Sequence, residues 1–525
     1  MGTYGCRQKR TSGPCVRSCW RAMPLLISVA CAVSPCVHAQ SDGSETLAQQ
    51  VLKLTDAMAR AQSQLEQSQR ELEAMRKQLG ALQRQMAQSA AGTAGTTAGS
   101  SSSAGSQSAS AAVEDMRERQ AMDETQIATQ EQTKVESESR YPVKITGLLL
   151  LNGFVNTGAV DMPATPTVAL PGAGSTGASV RQSILGLDAR GPHLFGARSY
   201  ADLRVDFDGS SSTNGSAYSG YYNSNATLLR LRTVHAGLRW SHTEAYFSLD
   251  RPIFSPDAPT SLTAVAVPAL AWSGNLWTWN PQLGVNQDID VLPGRTLRLQ
   301  AALLDVGDAP LTPEQTDATT TPPSSAEQSR WPGVETRIAL LGHRSNNDQP
   351  YNHFGIGGYF APHYSAIVGH GFDSWAGTLD AGLLLPARLQ FTGSFYRGLA
   401  LGGLGGGAYK DFAFKPDLDS TGYYFRPLDD VGGWAQLKEK FSERVELNAA
   451  FGMDDVFAGE LRRYAIPGNT LYQNLDRNRT YTGNVIYSPS AYLLFSLEYR
   501  HLESTPVIGP SAASNILGLG AGYKF

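Results

Sequence analysis

The chain ends in two alternating segments, the first of which reads Leu493-Leu494-Phe495-Ser496-Leu497-Glu498-Tyr499-Arg500. Its odd-numbered positions carry large apolar side chains, and its even-numbered positions after Leu494 carry Ser, Glu and Arg. The segment from Leu517 to Phe525 repeats the pattern, with apolar residues at odd positions and mostly glycine between them. A period of two residues is typical of a β-strand with one apolar and one polar face. The stretch therefore predicts two amphipathic strands.

The final residue, Phe525, belongs to the apolar face of the last predicted strand. A terminal aromatic residue at this position resembles the C-terminal assembly signal of bacterial outer-membrane barrels, which implies recognition by the barrel assembly machinery. In such barrels the last strand pairs with the first, so no sheet edge is left open. Taken alone, the stretch also fits a surface hairpin of a soluble all-β protein.

The same alternation recurs from residue 141 to the end of the chain. We count about sixteen predicted strands, an even number within the range of bacterial barrels. Their connections alternate between short turns, such as 241–243, and long loops at 158–178, 209–226 and 251–280. Short periplasmic turns and long external loops produce this alternation. The prediction is an all-β fold, a transmembrane antiparallel β-barrel over residues 141–525.

The two faces of the predicted strands differ in polarity. The outward faces carry Leu, Val, Phe, Ala and Tyr, and the inward faces carry Arg, Asp, Gln, Glu, Lys and Ser, the inverse of a soluble barrel. Since a barrel of about sixteen strands encloses more space than its side chains fill, we expect an aqueous channel. Aromatic residues near strand ends are expected to form an interfacial girdle: Trp240, Tyr246, Phe360, Trp375, Trp434, Tyr487, Tyr492 and Phe525.

Residues 1–39 have the features of a secretory signal peptide. A basic segment ending at Arg21 precedes an apolar run, and Val37-His38-Ala39 supplies the small residues of a cleavage site. All five cysteines precede residue 40, so cleavage leaves no thiol for disulfides, catalysis or zinc binding. A lipoprotein cleaved before Cys31 is the alternative.

Charge and motif content exclude several classes of function. Cleavage removes five basic and no acidic residues, which leaves 38 basic against 47 acidic residues and a net charge of −9. This balance argues against nucleic-acid binding. The nine histidines include no HExxH motif or paired metal spacing, and there is no Gly-x-Ser-x-Gly elbow. We therefore expect no enzymatic activity, no metal site and no cofactor.

Residues 40–88 carry a heptad pattern. Apolar residues recur at alternating spacings of four and three from Leu47 to Met86, and only Ser68 interrupts them. A seam sustained over several heptads predicts a coiled coil, because a helix docked on a domain would need a wider apolar stripe. The pattern does not decide between a dimer and a trimer. Residues 89–140 are rich in small and polar residues, which predicts a low-complexity, disordered linker.

The order of signal peptide, coiled coil, linker and barrel resembles the DcaP-like trimeric porins of Gram-negative outer membranes. The local similarity lies in Lys144-Ile145-Thr146-Gly147, Arg181-Gln182-Ser183-Ile184-Leu185-Gly186, Ala201-Asp202 through Asp206-Phe207, and Leu229-Arg230-Leu231-Arg232. The resemblance implies a homotrimer in outer-membrane lipid, a periplasmic coiled coil and uptake of small, often anionic, solutes. It carries over no substrate-binding residue.

In porins of this size the third external loop folds into the lumen and narrows it. Here that loop is 251–280, and its apolar run from Leu262 to Leu270 suits packing against a wall. We predict these pore-lining or constriction residues: Arg181, Arg198, Asp202, Arg204, Arg230, Arg232, Asp257, Trp272 and Trp277. Inward arginines would favour anions. The alternative is that they form wall ion pairs with Asp202, Asp206 and Asp208.

The sequence thus predicts an outer-membrane porin for passive diffusion of small hydrophilic solutes, with anions among them. The alternative function is a barrel-anchored structural tether, whose coiled coil would bind the periplasmic cell wall. The two differ in conductance, because a tether carries no open-channel current.

Overall fold

The computed structural model describes residues 142–209, 228–312, 323–344, 347–416, 422–465 and 471–525. The predicted signal peptide, coiled coil and linker lie outside the described residues. Among these residues, the main element is one antiparallel sheet that closes on itself. No helix within the described ranges is long and apolar enough to cross a membrane.

The closed sheet contains 17 strands. Since β2 and β3 both pair with β1, they share one place in the wall, and the barrel has 16 strand positions, as predicted. The strands of the wall are β1 (Val143–Val160), β2 (Ala169–Ser179), β3 (Ile184–Leu194), β4 (Ala197–Gly209), β5 (Leu228–Arg239), β6 (Thr243–Asp250), β7 (Asn280–Leu292), β8 (Arg295–Leu304), β9 (Gly333–Arg344), β10 (Asn347–Ser365), β11 (His370–Leu384), β12 (Leu389–Leu399), β15 (Asp429–Lys440), β16 (Val445–Val456), β17 (Leu475–Tyr487), β18 (Leu493–Pro506) and β19 (Ala512–Lys524).

The remaining elements are short and lie in the connections. A separate hairpin is formed by β13 (Phe412–Pro416) and β14 (Tyr423–Pro427). In the described ranges, three short helices span Ser325–Ser329, Ala458–Leu461 and Leu471–Asn474, and three 3-10 turns span Pro386–Arg388, Gly402–Leu404 and Gly407–Tyr409. Long connections gather at one end of the barrel, although 366–369 and 507–511 at this loop end are short. Short turns gather at the other end, which we call the turn end.

The barrel closes between β1 and β19, as the final stretch of sequence predicts. Their register runs from Leu148 opposite Lys524 to Asn156 opposite Ile516. The N–H of Gly147 donates to the carbonyl of Phe525 at 2.9 Å, and the reverse bond is 3.1 Å. A Cβ atom at residue 147 would stand 2.4 Å from Cζ of the Phe525 ring, so a side chain there would force the ring to move. Closure gives the edge backbone groups of the first and last strands a hydrogen-bond partner, which a strand edge in lipid could not obtain from water.

The second position of the wall differs from the prediction. Residues 169–179 form β2, although the sequence analysis placed them in an external loop. This glycine-rich segment pairs with β1 through its backbone and shows no apolar alternation, which explains why the period-two pattern missed it. Residues 180–183 then leave the wall before β3 begins. Here Ser183 Oγ accepts a hydrogen bond from the Leu150 N–H at 2.9 Å, in place of a strand partner.

The exposure of side chains confirms the apolar exterior and the polar interior. Leu497 and Leu519 are 55% and 60% exposed, whereas Glu498 is 2% exposed. The girdle prediction is wrong at Tyr246 and Trp434, which face the lumen. Both occupy even-numbered positions of strands whose even-numbered residues point inward, so the parity of the strand decides their direction and their aromatic character does not.

Two long connections fold into the lumen and pack against each other. They are residues 251–279, between β6 and β7, and residues 400–413, after β12. Their buried side chains form an apolar cluster that includes Trp272, Trp277 and Tyr409. The barrel therefore has apolar material inside its loop end as well as on its outer surface.

The opposed faces of β7 give a matched test of the fold. Val285 is an exposed residue on the outer face, and its neighbour Asn286 lies in the lumen. We expect Val285→Arg to cost about 2–4 kcal/mol of stability in bilayers, because a charge near the middle of the lipid-facing strand must leave water. Unfolding in lipid vesicles with denaturant measures the change. Asn286→Arg is the control and should fold, and equal losses for both variants would contradict the assigned faces.

Candidate functional site: the constricted lumen

The loop 251–279 is held at the break between β2 and β3 by the buried side chain of Gln182. Gln182 Oε1 accepts hydrogen bonds from the N–H groups of Val265 at 2.7 Å and Ala266 at 3.1 Å. Gln182 Nε2 donates to the carbonyl of Thr263 at 3.0 Å. A loop inside a barrel has no strand partner for its backbone, so a side chain must satisfy these groups. Gln182 therefore positions the loop.

Other wall strands hold the same loop farther along its path. Gln436 Oε1 accepts from the Thr260 N–H at 2.6 Å, and Asn484 Nδ2 donates to the Thr260 carbonyl at 2.8 Å. Thr378 Oγ1 donates to the carbonyl of Phe254 at 2.9 Å. Because these partners lie on β11, β15 and β17, around the barrel from Gln182, the loop crosses the lumen. The loop thus lies inside the lumen, and the constriction at this loop stays a prediction.

The segment 400–413 is a second inserted element, which the sequence analysis did not predict. Its Leu404 carbonyl accepts from the Trp277 N–H at 3.1 Å, and the Tyr409 ring stacks on Trp272 with centroids 4.1 Å apart. The N–H of Gly407 donates to Asp430 at 2.7 Å. The uncharged run of glycine and leucine at 401–407 is the sequence signal for such close packing. The two insertions stabilise each other.

Two predicted arginines meet beside the crossing loop. Arg230 Nη2 lies 2.6 Å from Asp206 Oδ2, and Arg232 Nη1 lies 3.5 Å from the same oxygen. Their guanidinium groups lie 5.1 and 4.9 Å from the centre of the Trp279 ring, within the range of cation–π contacts. Arg230 also donates to the Ala266 carbonyl at 2.7 Å. The pair thus combines a wall ion pair with a contact to the loop.

The structure places the other predicted residues as follows. Arg181 donates to the carbonyls of Phe207 and Gly209, 4.0 Å from Asp208, and Arg204 pairs with Asp188 at 2.6 Å. Asp202 contacts His235 at 2.9 Å, Asp257 contacts His353 at 2.8 Å, and Trp272 and Trp277 are buried between the two insertions. Arg198 is exposed at the turn end of β4, eight residues from Asp206, or roughly 26 Å along a strand.

Asp257, His353 and Asp380 form a group that could in principle hold a metal ion, with ligand atoms within 4.8 Å of one another. The guanidinium of Arg337 already donates to both oxygens of Asp380, at 2.9 and 2.6 Å. A cation would therefore face a fixed positive charge. The network therefore links Asp257 of the crossing loop to His353 and Asp380 on the wall.

The second insertion carries two adjacent buried ionisable groups. Burial lowers the pKa of Lys410 to about 7, against the opposing effect of Asp454, Asp476 and Asp430. Burial also raises the pKa of Asp411 to about 7. Lys410 Nζ donates to the carbonyl of Leu475 at 2.9 Å. Lys410 thus ties the segment to β17, and the Asp411 carboxylate accepts from the Gly403 N–H within the segment at 3.2 Å.

A closed barrel with an apolar exterior, a polar lumen and an inserted loop defines a transmembrane barrel of the porin type. Neither a family model nor a curated protein sequence matches this chain. Among solved structures, the outer-membrane channel DcaP of Acinetobacter baumannii aligns with 73% of this chain and 97% of its own, at 15% identity and a TM-score of 0.50. The predicted resemblance to DcaP-like porins is thereby confirmed at the level of the fold.

Two further porin structures align over the same share of the chain with lower scores. OprB of Pseudomonas putida matches at 10% identity over 73% of this chain and 94% of its own, with a TM-score of 0.43. OmpF of Salmonella typhi matches at 10% identity over 73% and 97%, with a TM-score of 0.42. At such identities the likeness concerns the architecture and not the solute.

Replacing Gln182 tests its hold on the crossing loop. Gln182→Leu leaves the Val265 and Ala266 N–H groups and the Thr263 carbonyl without their side-chain partner, at about 1–3 kcal/mol for each unsatisfied group. We expect faster proteolysis within the loop and larger, noisier single-channel currents. Gln390→Leu, at the turn end of β12, is the control and should change neither. Unaltered proteolysis and current in Gln182→Leu would contradict the assignment.

The second insertion should depend on pH in two directions. At Lys410 the unfolded segment binds the proton more tightly, so stability rises as the pH increases from about 7 towards 10.5. At Asp411 the folded segment binds it more tightly, so stability falls as the pH rises from 3.8 to about 7. We expect 400–413 to open most readily near neutral pH, as measured by hydrogen exchange corrected for intrinsic rates. Asp411→Asn should remove the decline on the acid side, and a monotonic profile for the natural chain would contradict the shift of whichever group fails to show its limb.

Proposed function

We propose that the protein is an outer-membrane porin through which small hydrophilic solutes diffuse passively. The observation that carries the proposal is the loop 251–279, which crosses a polar lumen and is hydrogen-bonded to strands around the wall. Passive diffusion needs a fixed aperture, and it needs neither a cofactor nor a catalytic group. Single-channel recording on the purified protein in planar bilayers tests the proposal, and a barrel that folds without conducting would refute it.

The assembly that we propose is a homotrimer in outer-membrane lipid, with the coiled coil in the periplasm and insertion by the barrel assembly machinery. Its support is the heptad pattern of 40–88, the aromatic terminus and the resemblance stated for the sequence. The tether remains the alternative. Deleting residues 45–88 distinguishes the two functions, because a tether would show envelope defects and no current, whereas a porin would keep its current.

We also propose a weak preference for anions at the constriction. Arg181, Arg230 and Arg232 gather there, and their acidic partners are Asp206 and Asp208. Asp206 is fully buried and shared by two arginines, so the local balance is positive by one charge. A small excess of fixed charge in a low-dielectric opening biases the ions that enter. Since most of the charge is paired, the preference should be mild.

Reversal potentials in a salt gradient test this preference. We expect a mild anion preference for the natural chain and a shift towards cations for Arg230→Ala combined with Arg232→Ala, because Asp206 then loses both partners. Arg479→Ala is the matched control, since Arg479 pairs with Glu503 on the face of β17 that carries the exposed Tyr481. A cation-selective natural channel with the same selectivity in the double variant would contradict the proposal.

A further inference from the structure

A polar cavity of about 380 Å³ lies on the turn side of the crossing loop, against the lumen faces of β4 to β8. This volume falls in the lower part of the range of roughly 300–1,000 Å³ that is usual for small-molecule sites. The cavity is open to the lumen on one side. On β4 and β5 it lies nearer the turn end than the arginine pair, because its lining residues there are Tyr200, Asp202, His235 and Arg239.

The floor of the cavity is a continuous track of hydrogen bonds. Glu244 accepts from the Tyr200 hydroxyl at 2.7 Å and from Asn286 Nδ2 at 3.0 Å. The Asn286 side-chain oxygen accepts from Gln300 Nε2 at 3.0 Å, and Gln300 Oε1 accepts from Arg337 at 2.8 Å. These residues lie on neighbouring strands, from β4 to β9. The track therefore fixes the rotamers of a row of donors and acceptors before any solute arrives.

Three carboxylates and, when His235 is protonated, three cationic side chains line the cavity, so its charge balances: Asp202, Glu244 and Asp250 against His235, Arg239 and Arg251. His235 lies between Asp202 at 2.9 Å and Asp250 at 2.8 Å, and Arg239 donates to Glu244 at 3.0 Å. His235 and Arg239 thus each face a carboxylate. An anion entering the cavity would meet carboxylates as well as cations, so the cavity offers it no net attraction, unlike the constriction above it.

A tyrosine ring lies flat against the wall of the cavity. A Cβ atom added to Gly284 would stand 2.5 Å from Tyr246 Cζ, which shows that the ring covers the position opposite the glycine. On the other side of Tyr246, a Cβ atom at Gly237 would stand 2.9 Å from Tyr246 Cβ. The absence of a side chain at Gly284 is what leaves room for the ring to lie against β7. A ring held in this way presents an apolar face beside the polar track.

Ser248 supplies an unused polar group to the same cavity. Its side chain is 5% exposed and its hydroxyl has no hydrogen-bond partner within the described residues. It stands between His235 and Gln282 in the strand register and lines the cavity. A buried hydroxyl without a partner costs free energy, and its oxygen is inaccessible to solvent as it stands. A bound solute would recover that free energy once the Ser248 side chain turns towards the cavity.

We propose that this cavity is a binding site for a neutral, polyhydroxylated solute, such as a mono- or disaccharide. A sugar carries hydroxyl groups that both donate and accept, which match the Glu244–Asn286–Gln300 track and the Ser248 hydroxyl. Its C–H face matches the flat ring of Tyr246. Because the charges in the cavity balance, an anion gains no electrostatic advantage there over a neutral solute. The inference rests on the proposed porin function and adds the chemical class of a solute.

Titration calorimetry in detergent, with glucose and sucrose as probes and succinate as the anionic counter-probe, tests the site without requiring conduction. We expect saturable heats for a sugar and none for succinate. Asn286→Ala should weaken sugar binding by about tenfold, the value of one good hydrogen bond. Tyr246→Leu should weaken it as well, whereas Tyr246→Phe, which keeps the ring, should retain it. In bilayers, we expect the sugar to interrupt the ion current through the natural chain and Tyr246→Phe more than through Asn286→Ala and Tyr246→Leu.

The matched control is Asn448→Ala, because Asn448 is also a lumen-facing asparagine but donates to Asn484 and Glu446 on the other side of the barrel. It should bind sugar like the natural chain. Absence of sugar heats from a folded, conducting channel would refute the inference and leave the porin function standing. Sugar heats from a folded barrel that does not conduct would refute the porin function and leave the binding site standing. Equal binding of succinate would overturn the assignment to a neutral solute.

Discussion

The pairing of β1 with β19 is the contact on which the rest of the barrel depends. Within lipid, a backbone N–H or C=O group without a protein partner costs several kcal/mol, so only a closed ladder tolerates the membrane. The bonds between Gly147 and Phe525 complete that ladder. Once the wall is closed, each strand has one face towards lipid and one towards the lumen, and this division of faces makes every later feature possible.

The polar inner face then has two roles. It contacts water, and it also supplies partners for chain segments that enter the lumen. The crossing loop brings in backbone groups that no strand can satisfy, and Gln182, Gln436, Asn484 and Thr378 satisfy them. The aperture is thus set by hydrogen-bond satisfaction, because moving the loop would leave buried polar groups unpaired on both sides.

Most of the charge in the lumen is paired, which has a consequence for selectivity. Arg204 with Asp188 and Arg337 with Asp380 contribute little net field. Small local differences therefore decide which solutes a region suits. Near Asp206 the arginines are in excess, whereas around Glu244 and His235 the charges balance. The proposed bias towards anions at the opening and the proposed cavity for neutral solutes would in this way share one lumen.

The sequence by itself determined the barrel class, the closing strand and a count of about sixteen wall positions. These follow from period-two alternation, which is a local property of the chain. Only the tertiary structure decided the break at 180–183, the partners of Gln182, the insertion of 400–413 and the inward direction of Tyr246 and Trp434. The break and the insertion show no alternation, and the partners of a lumen side chain depend on where a loop distant in sequence comes to lie. Tyr246 and Trp434 point inward because they occupy even-numbered positions of their strands. Which positions of a strand point inward is fixed only when it pairs in register with its neighbours.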